Sequence, residues 1–171
     1  MGLDLEAQMF FGSVIRQLPR EQLMYDHILI ATDGSKLADH GVTRGLELAK
    51  AINAKVTVVT VTEAWRALEM VTEVKTGNPD PFTEFEAAAA EVAQKRLAAV
   101  KNAAEKMGLS CEFVHVADQH AAEGIASTAK AKGCDLIVIA SHGRRGVRKA
   151  ILGSVASEVI TVSEVPILLV K

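Results

Sequence analysis

The sequence predicts a doubly wound α/β fold, a parallel sheet covered by helices on both faces. Three observations point there. Five short apolar runs alternate with four helical patterns in the order β-α-β-α-β-α-β-α-β. The runs are continuous and rich in β-branched residues, as strands buried on both faces require. The helical patterns start or stop at cap and glycine signals. A chain of 171 residues, 49% apolar, suits one such domain with a sizeable core. Only 4% of the residues are aromatic, so Ala, Val, Ile and Leu must fill that core.

Residues 1–23 read as an N-terminal extension outside the domain, which spans 24–171. Leu3, Leu5, Met9, Phe10, Val14, Ile15 and Leu18 form a rough helical stripe, broken by Gly12 and ended by Pro19. It is either a docked helix or a tail. The first strand is Ile28 to Thr32, stopped by Asp33-Gly34-Ser35. Asp33 or Ser35 caps the next helix, whose buried face is Val42, Leu46, Ala49 and Ile52 and whose end is Asn53-Ala54. Val56 to Val61 is the second strand. After the breaker Gly77-Asn78-Pro79-Asp80-Pro81 comes the longest helical pattern: Phe82, Phe85, Ala89, Val92, Leu97, Val100, Ala104 and Met107, ending at Gly108. Cys111 to Val116 is the third strand and Ala121 to Lys132 the third helix, closed by Gly133. Leu136 to Ile139, Ser154 to Val162 and Val165 to Val170 complete the series.

The formal charge of −2 gives no reason to expect a nucleic-acid or membrane partner. No apolar run approaches the roughly 18 residues needed to cross a bilayer. The N-terminus has neither the basic n-region nor the unbroken apolar stretch of a signal peptide. Cys111 and Cys134 are far apart, form no C-x-x-C, and read as reduced core residues, which suits a cytoplasmic location. There is no G-x-x-x-x-G-K-[ST], no G-x-G-x-x-G after the first strand, no H-E-x-x-H and no G-x-S-x-G. The commonplace nucleotide-hydrolase, dinucleotide, metalloprotease and serine-hydrolase readings lose most of their support.

Between the fourth strand and the fourth helix lies Ala140-Ser141-His142-Gly143-Arg144-Arg145-Gly146-Val147-Arg148-Lys149-Ala150-Ile151-Leu152-Gly153-Ser154. Glycines let a backbone approach a phosphate, and the amides of a helix start point at it. Arg144, Arg145, Arg148 and Lys149 read equally as a screen for phosphates, a solvated face or a partner surface. Doubly wound sheets bind ligands beyond the carboxyl ends of their strands, where the strand order reverses. The strand ending at Asp33-Gly34-Ser35 is the natural second wall.

The spacing A-S-H-G, nine residues, G-S resembles the G-x-x-G, nine residues, G-[ST] of the nucleotide-binding universal stress proteins. The start Met24-Tyr25-Asp26-His27-Ile28-Leu29-Ile30-Ala31-Thr32-Asp33-Gly34-Ser35 and the ending Val165-Pro166-Ile167-Leu168-Leu169-Val170 are similar to that family too. The resemblance covers residues 24–171. It implies a five-stranded sheet of order 3-2-1-4-5, usually dimeric. It also implies a cytoplasmic stress-response or signalling protein that binds ATP, with magnesium or manganese held mainly by the phosphates and little or no turnover. Position by position it implies that Asp33, with Thr32 beside it, faces the adenosine. Ala31 and Val61 line the base, and Ile139 and Ala140 count among the cofactor-binding positions. Ser141 and His142 line the ribose and α-phosphate side, with Arg144 beyond. Gly143, Gly153, Ser154 and Val155 hold phosphates through backbone amides, and Ser154 adds a hydroxyl. Each position has a plainer reading: Asp33 a turn or cap residue, Ser154 an N-cap, Ala31 and Val61 strand-end packing, His142 a polar loop residue.

Two departures weigh against the ATP reading. Ala140 replaces the first motif glycine, which matters if the backbone there needs φ > 0. Asp118 stands in a loop where the family often has glycine; it either crowds a phosphate or caps the third helix. Two alternatives stay open: a dimeric interaction module that binds no nucleotide, and a slow ATPase or autophosphorylating enzyme, for which Asp33 and His142 are the available groups. The last strand, short and apolar, is expected at a sheet edge, where it pairs with its mate in a homodimer. A monomer with that edge covered by residues 1–23 is the rival arrangement.

Overall fold

A computed structural model describes residues 25–63, 81–142 and 152–171. The N-terminal extension, the breaker before Pro81, and Gly143, Arg144, Arg145, Arg148 and Lys149 lie outside the described residues. The elements are β1 (His27–Ala31), α1 (Lys36–Ile52), β2 (Lys55–Val61), α2 (Pro81–Lys106), β3 (Cys111–Val116), α3 (Ala121–Lys132), β4 (Leu136–Ala140), α4 (Ser154–Val162) and β5 (Ile167–Val170). They form one five-stranded sheet, ordered β3-β2-β1-β4-β5, with every pairing parallel. This is the predicted architecture. β5 is an edge strand, as expected.

The period-2 alternation of each strand sorts its residues between two aliphatic layers. Ile28, Ile30, Val56, Val58, Leu136 and Val138 face Val42, Leu46 and Ala49 of α1 and Val100 and Ala104 of α2. Leu29, Ala31, Val59, Ile137 and Ile139 face Ala122, Ile125 and Ala129 of α3 and Ala156 and Val159 of α4. Cys134 is buried in the second layer, where desolvation pushes its thiol up to about 11. Cys111 is half-buried on the first, and burial raises its thiol too. Both thiols are free.

Ser35 is the N-cap of α1, its Oγ accepting from the Ala38 amide at 3.1 Å. Asn53 closes the helix in the left-handed conformation at φ 55°. The buried stripe of α2 is Ala93, Val100 and Ala104, with Leu97 half-buried; of the expected stripe, Leu97, Val100 and Ala104 lie on it and Val92 does not. Steps of four, three and four hold one helix face, whereas Val92 sits about 100° around from Ala93 and is 42% exposed. β5 begins at Ile167 rather than Val165. The Ser163 hydroxyl bonds the Val165 amide at 3.0 Å, which holds Val165 in a turn, and Pro166 contributes only its carbonyl, to the Ile137 amide at 2.9 Å.

Two connections position the cleft. β1 leads through β2 to β3 on one side, and β4 and β5 follow on the other, so the strand order reverses between β1 and β4. At the amino end of that pair the Asp135 carboxylate accepts from the Asp26 and His27 amides, at 2.7 and 3.1 Å. The register Ile28↔Leu136, Leu29↔Ile137, Ile30↔Val138 then carries both strands to the same height at their carboxyl ends.

Candidate functional site at the strand-order reversal

The first wall is the turn after β1. The Thr32 amide extends the ladder to the Val59 carbonyl at 3.0 Å. Three side-chain oxygens then satisfy three amides: Thr32 Oγ1 accepts from Gly34 at 3.2 Å, Asp33 Oδ1 from Ser35 at 3.0 Å, and Ser35 Oγ from Ala38. Asp33 is therefore a turn residue and Ser35 the cap. Gly34 has φ +72°, a conformation that favours glycine.

The second wall is the end of β4. The buried Ser141 donates its amide to the Val170 carbonyl at 2.7 Å and accepts from the Gly153 amide at 2.8 Å. The long connection thus leaves and returns at one point. Gly153, not Ser154, is the N-cap of α4. It has no side chain, and α4 starts with no side-chain cap hydrogen bond. Ser154 occupies the first helical position and is exposed. The amides of the first turn carry the positive end of the helix dipole, worth about 0.3–1 kcal/mol for a nearby anion. His142 is half-buried, with Nδ1 3.2 Å from Ser141 Oγ.

Around the end of β4 the structure brings together Ser141, His142 and Gly153, with Ser154 following Gly153, while Thr32 and Asp33 follow the end of β1, the strand paired with β4. Ala31, Ile139 and Val61 all face the α3/α4 layer, with Val155 packed against it. The packing reading of Val61 holds as well, since a Cβ at Gly124 of α3 would lie 3.0 Å from Val61 Cγ2.

Ala140 is part of the strand, paired with Val170, and its φ is not positive. By strand alternation its methyl group shares the face of Leu136 and Val138, toward α1. There Gly41 makes room for it: a Cβ on Gly41 would stand 3.1 Å from the Ala140 nitrogen and 3.4 Å from its Cβ. The methyl therefore points away from α4. Asp118 is not the cap of α3. That position belongs to His120, without a side-chain cap bond, while Asp118 adopts φ +56°. A family glycine fits such a backbone, and aspartate is among the residues that tolerate it. Arg96 of α2, which no sequence signal singles out, reaches the same turn as Asp33. Gly41 carried a fainter signal: with Gly45 it makes two glycines four apart inside a helical pattern, on one face.

The family model of the universal stress proteins matches residues 24–171. The chain belongs to the universal stress protein family. Universal stress protein YxiE of Bacillus subtilis is 31% identical over 154 residues, 86% of this chain and 100% of YxiE. The solved structure of MJ0577 of Methanocaldococcus jannaschii superposes with a TM-score of 0.69 at 28% identity, over 86% of this chain and 96% of MJ0577. A universal stress protein of Archaeoglobus fulgidus in complex with dAMP shares the fold, with a TM-score of 0.61 at 18% identity over 88% of this chain and 100% of that one.

Proposed function

We propose that this protein binds an adenine nucleotide, ATP with magnesium or manganese carried by its phosphates, between the ends of β1 and β4, and serves a stress-response or signalling role with little or no turnover. The observation that carries the reading is the Gly153–Ser141 hydrogen bond. It holds the start of α4, whose cap has no side chain, at the end of β4, the strand whose partner β1 leads into the turn at Asp33. The amides of Ser154 and Val155 bind phosphate oxygens, the Ser154 hydroxyl adds a donor, and Asp33 accepts from the ribose or the base. Ala31, Val61 and Ile139 supply the apolar wall. The dAMP complex of the Archaeoglobus fulgidus protein is compatible with the reading as a matter of fold. Among the described residues no group of three or more His, Cys, Asp or Glu side chains is placed to hold a metal ion, so a bound metal would rely on the phosphates.

Titration calorimetry of the purified protein with ATP and magnesium is expected to show saturable binding, and chromatography is expected to recover the ATP intact after long incubation. No heat and no thermal shift at millimolar ATP would favour a nucleotide-free interaction module; ADP accumulating would favour the slow enzyme. Ala140→Gly is expected to change ATP affinity by less than about threefold, because the methyl faces Gly41, and to lower stability by about 0.5–1 kcal/mol as glycine in a strand does. A tenfold gain in affinity would return the methyl to the binding wall.

The protein works as a homodimer through β5. Leu168 and Leu169 alternate across that edge strand and are 40% and 37% exposed, so an apolar edge is open to pairing. Light scattering is expected to give twice the chain mass, and Leu168→Lys to reduce it to one. A monomeric wild type would contradict the edge argument.

A further inference from the structure

We infer that Arg96 is a positioning residue of this site: it holds the turn that carries Asp33 and so sets selectivity for the ribose hydroxyls. The inference rests on the nucleotide reading above and, of the two acceptor roles that reading leaves to Asp33, takes the ribose hydroxyl.

The helix α2 has 26 residues, about 39 Å, against about 23 Å for the seven residues of β2. Its C-terminal half packs on the sheet through Val100 and Ala104. Helices return antiparallel to the strands they follow, so its N-terminal half reaches past the carboxyl edge of the sheet. Arg96 sits at that crossing. Its stem lies on Gly34: a Cβ placed there would be 2.7 Å from Arg96 Cγ, 3.2 Å from Cδ and 3.4 Å from Nε. Its guanidinium extends over the end of β2, where Nη1 donates to Thr60 Oγ1 at 3.4 Å. Thr60 is fully buried, so that anchor is fixed.

A side chain on Gly34 is thus disfavoured twice, by φ +72° and by the Arg96 stem. The amides on either side of it are those bound by Thr32 Oγ1 and Asp33 Oδ1. Arg96 closes the turn from the α1/α2 side, and the side-chain hydrogen bonds hold it from within. The phosphate cradle stands elsewhere, at the start of α4 in the opposite layer. A loosened turn therefore moves Asp33 and leaves the cradle where it is. Loss of Arg96 should fall on sugar recognition and spare phosphate recognition, a split that general destabilisation would not produce.

The test compares wild type, Arg96→Lys and Arg96→Ala for ATP, 2′-deoxy-ATP, 3′-deoxy-ATP and AMP by calorimetry, with thermal melts alongside. Loss of one hydrogen bond to the ligand costs about tenfold in affinity, so Arg96→Ala should weaken ATP by about that factor and bring it level with the weaker deoxy analogue. The ratio of ATP to AMP affinity should stay at the wild-type value, and Arg96→Lys, which keeps the stem, should recover part of the loss. Equal losses for all four ligands, or no loss, would overturn the inference. Should wild type bind none of them, the nucleotide reading fails and Arg96 is judged by amide exchange at Gly34 and Ser35. Faster exchange in Arg96→Ala than in wild type upholds its hold on the turn, and unchanged exchange overturns it.

Discussion

Replacing Gly153 by valine is expected to weaken ATP binding at least about 100-fold while leaving the sheet folded. Gly153 has φ −70° and ψ 154°, which any L-residue adopts, so the backbone does not resist the change. Its amide bond to Ser141 survives in principle as well. What changes is the surface at the helix start, where an isopropyl group replaces a hydrogen atom beside the amides of Ser154 and Val155. Denying two hydrogen bonds to a charged phosphate costs about 1.5–3 kcal/mol each, so the binding loss is large. The folding cost is that of a poor N-cap residue, about 1 kcal/mol, or about 2–4 °C in Tm for a chain of this size. Calorimetry and a thermal melt on the same sample separate the two. Unchanged affinity would remove the start of α4 from the site, and a melt lowered by more than about 10 °C would make the effect structural.

The elements were legible because each level of the sequence agreed with the next. The strands are continuous apolar runs, and a strand buried on both faces has no other good sequence. α3 ends at Gly133 with φ +65° and α1 at Asn53, so the stop signals mark left-handed caps. Val92 was less legible, since an alanine-rich helix offers two neighbouring faces of nearly equal hydrophobicity and only contact with the sheet selects Ala93. The strand order came from the resemblance, because alternation of strands and helices does not say on which side of β1 the fourth strand lies. At the candidate site, the turn Asp33-Gly34-Ser35 could be read from turn chemistry, whereas Gly153 was singled out by the resemblance. The significance of Ala140 could not: whether its methyl faces the cradle depends on strand register, and whether it fits depends on Gly41, a hundred residues earlier. Arg96 had no sequence signal at all. An arginine on a helix is ordinary, and its meaning comes from α2 outrunning the sheet.

Gly45→Val is expected to destabilise the fold by about 3 kcal/mol, a fall in Tm of about 6–12 °C. The sign is decided by competition. In an exposed helix a larger residue would gain up to about 1 kcal/mol over glycine. In α1, however, Gly41 and Gly45 both face the sheet and let the helix close on β1 and β4. A Cβ on Gly45 would stand 2.7 Å from Ile30 Cδ1, 2.9 Å from Ile30 Cγ1 and 3.3 Å from Val138 Cγ1. Ile30 and Val138 are 0% exposed in the central strands, so neither can swing into solvent. The helix or the strands must move, and overpacking outweighs propensity. Ile30→Val by itself should cost about 1 kcal/mol as a lost methyl group, but it deletes the atom at 2.7 Å. The double variant should therefore be no less stable than Gly45→Val alone, a non-additivity that urea unfolding of the four proteins would measure. Additive losses would show that the contact with Ile30 is not what α1 avoids. The consequence reaches the cleft, because Ile30 lies three residues before Asp33 and Val138 three before Ser141. Displacing them shifts both walls, so ATP affinity should fall in Gly45→Val and recover in step with stability in the double variant.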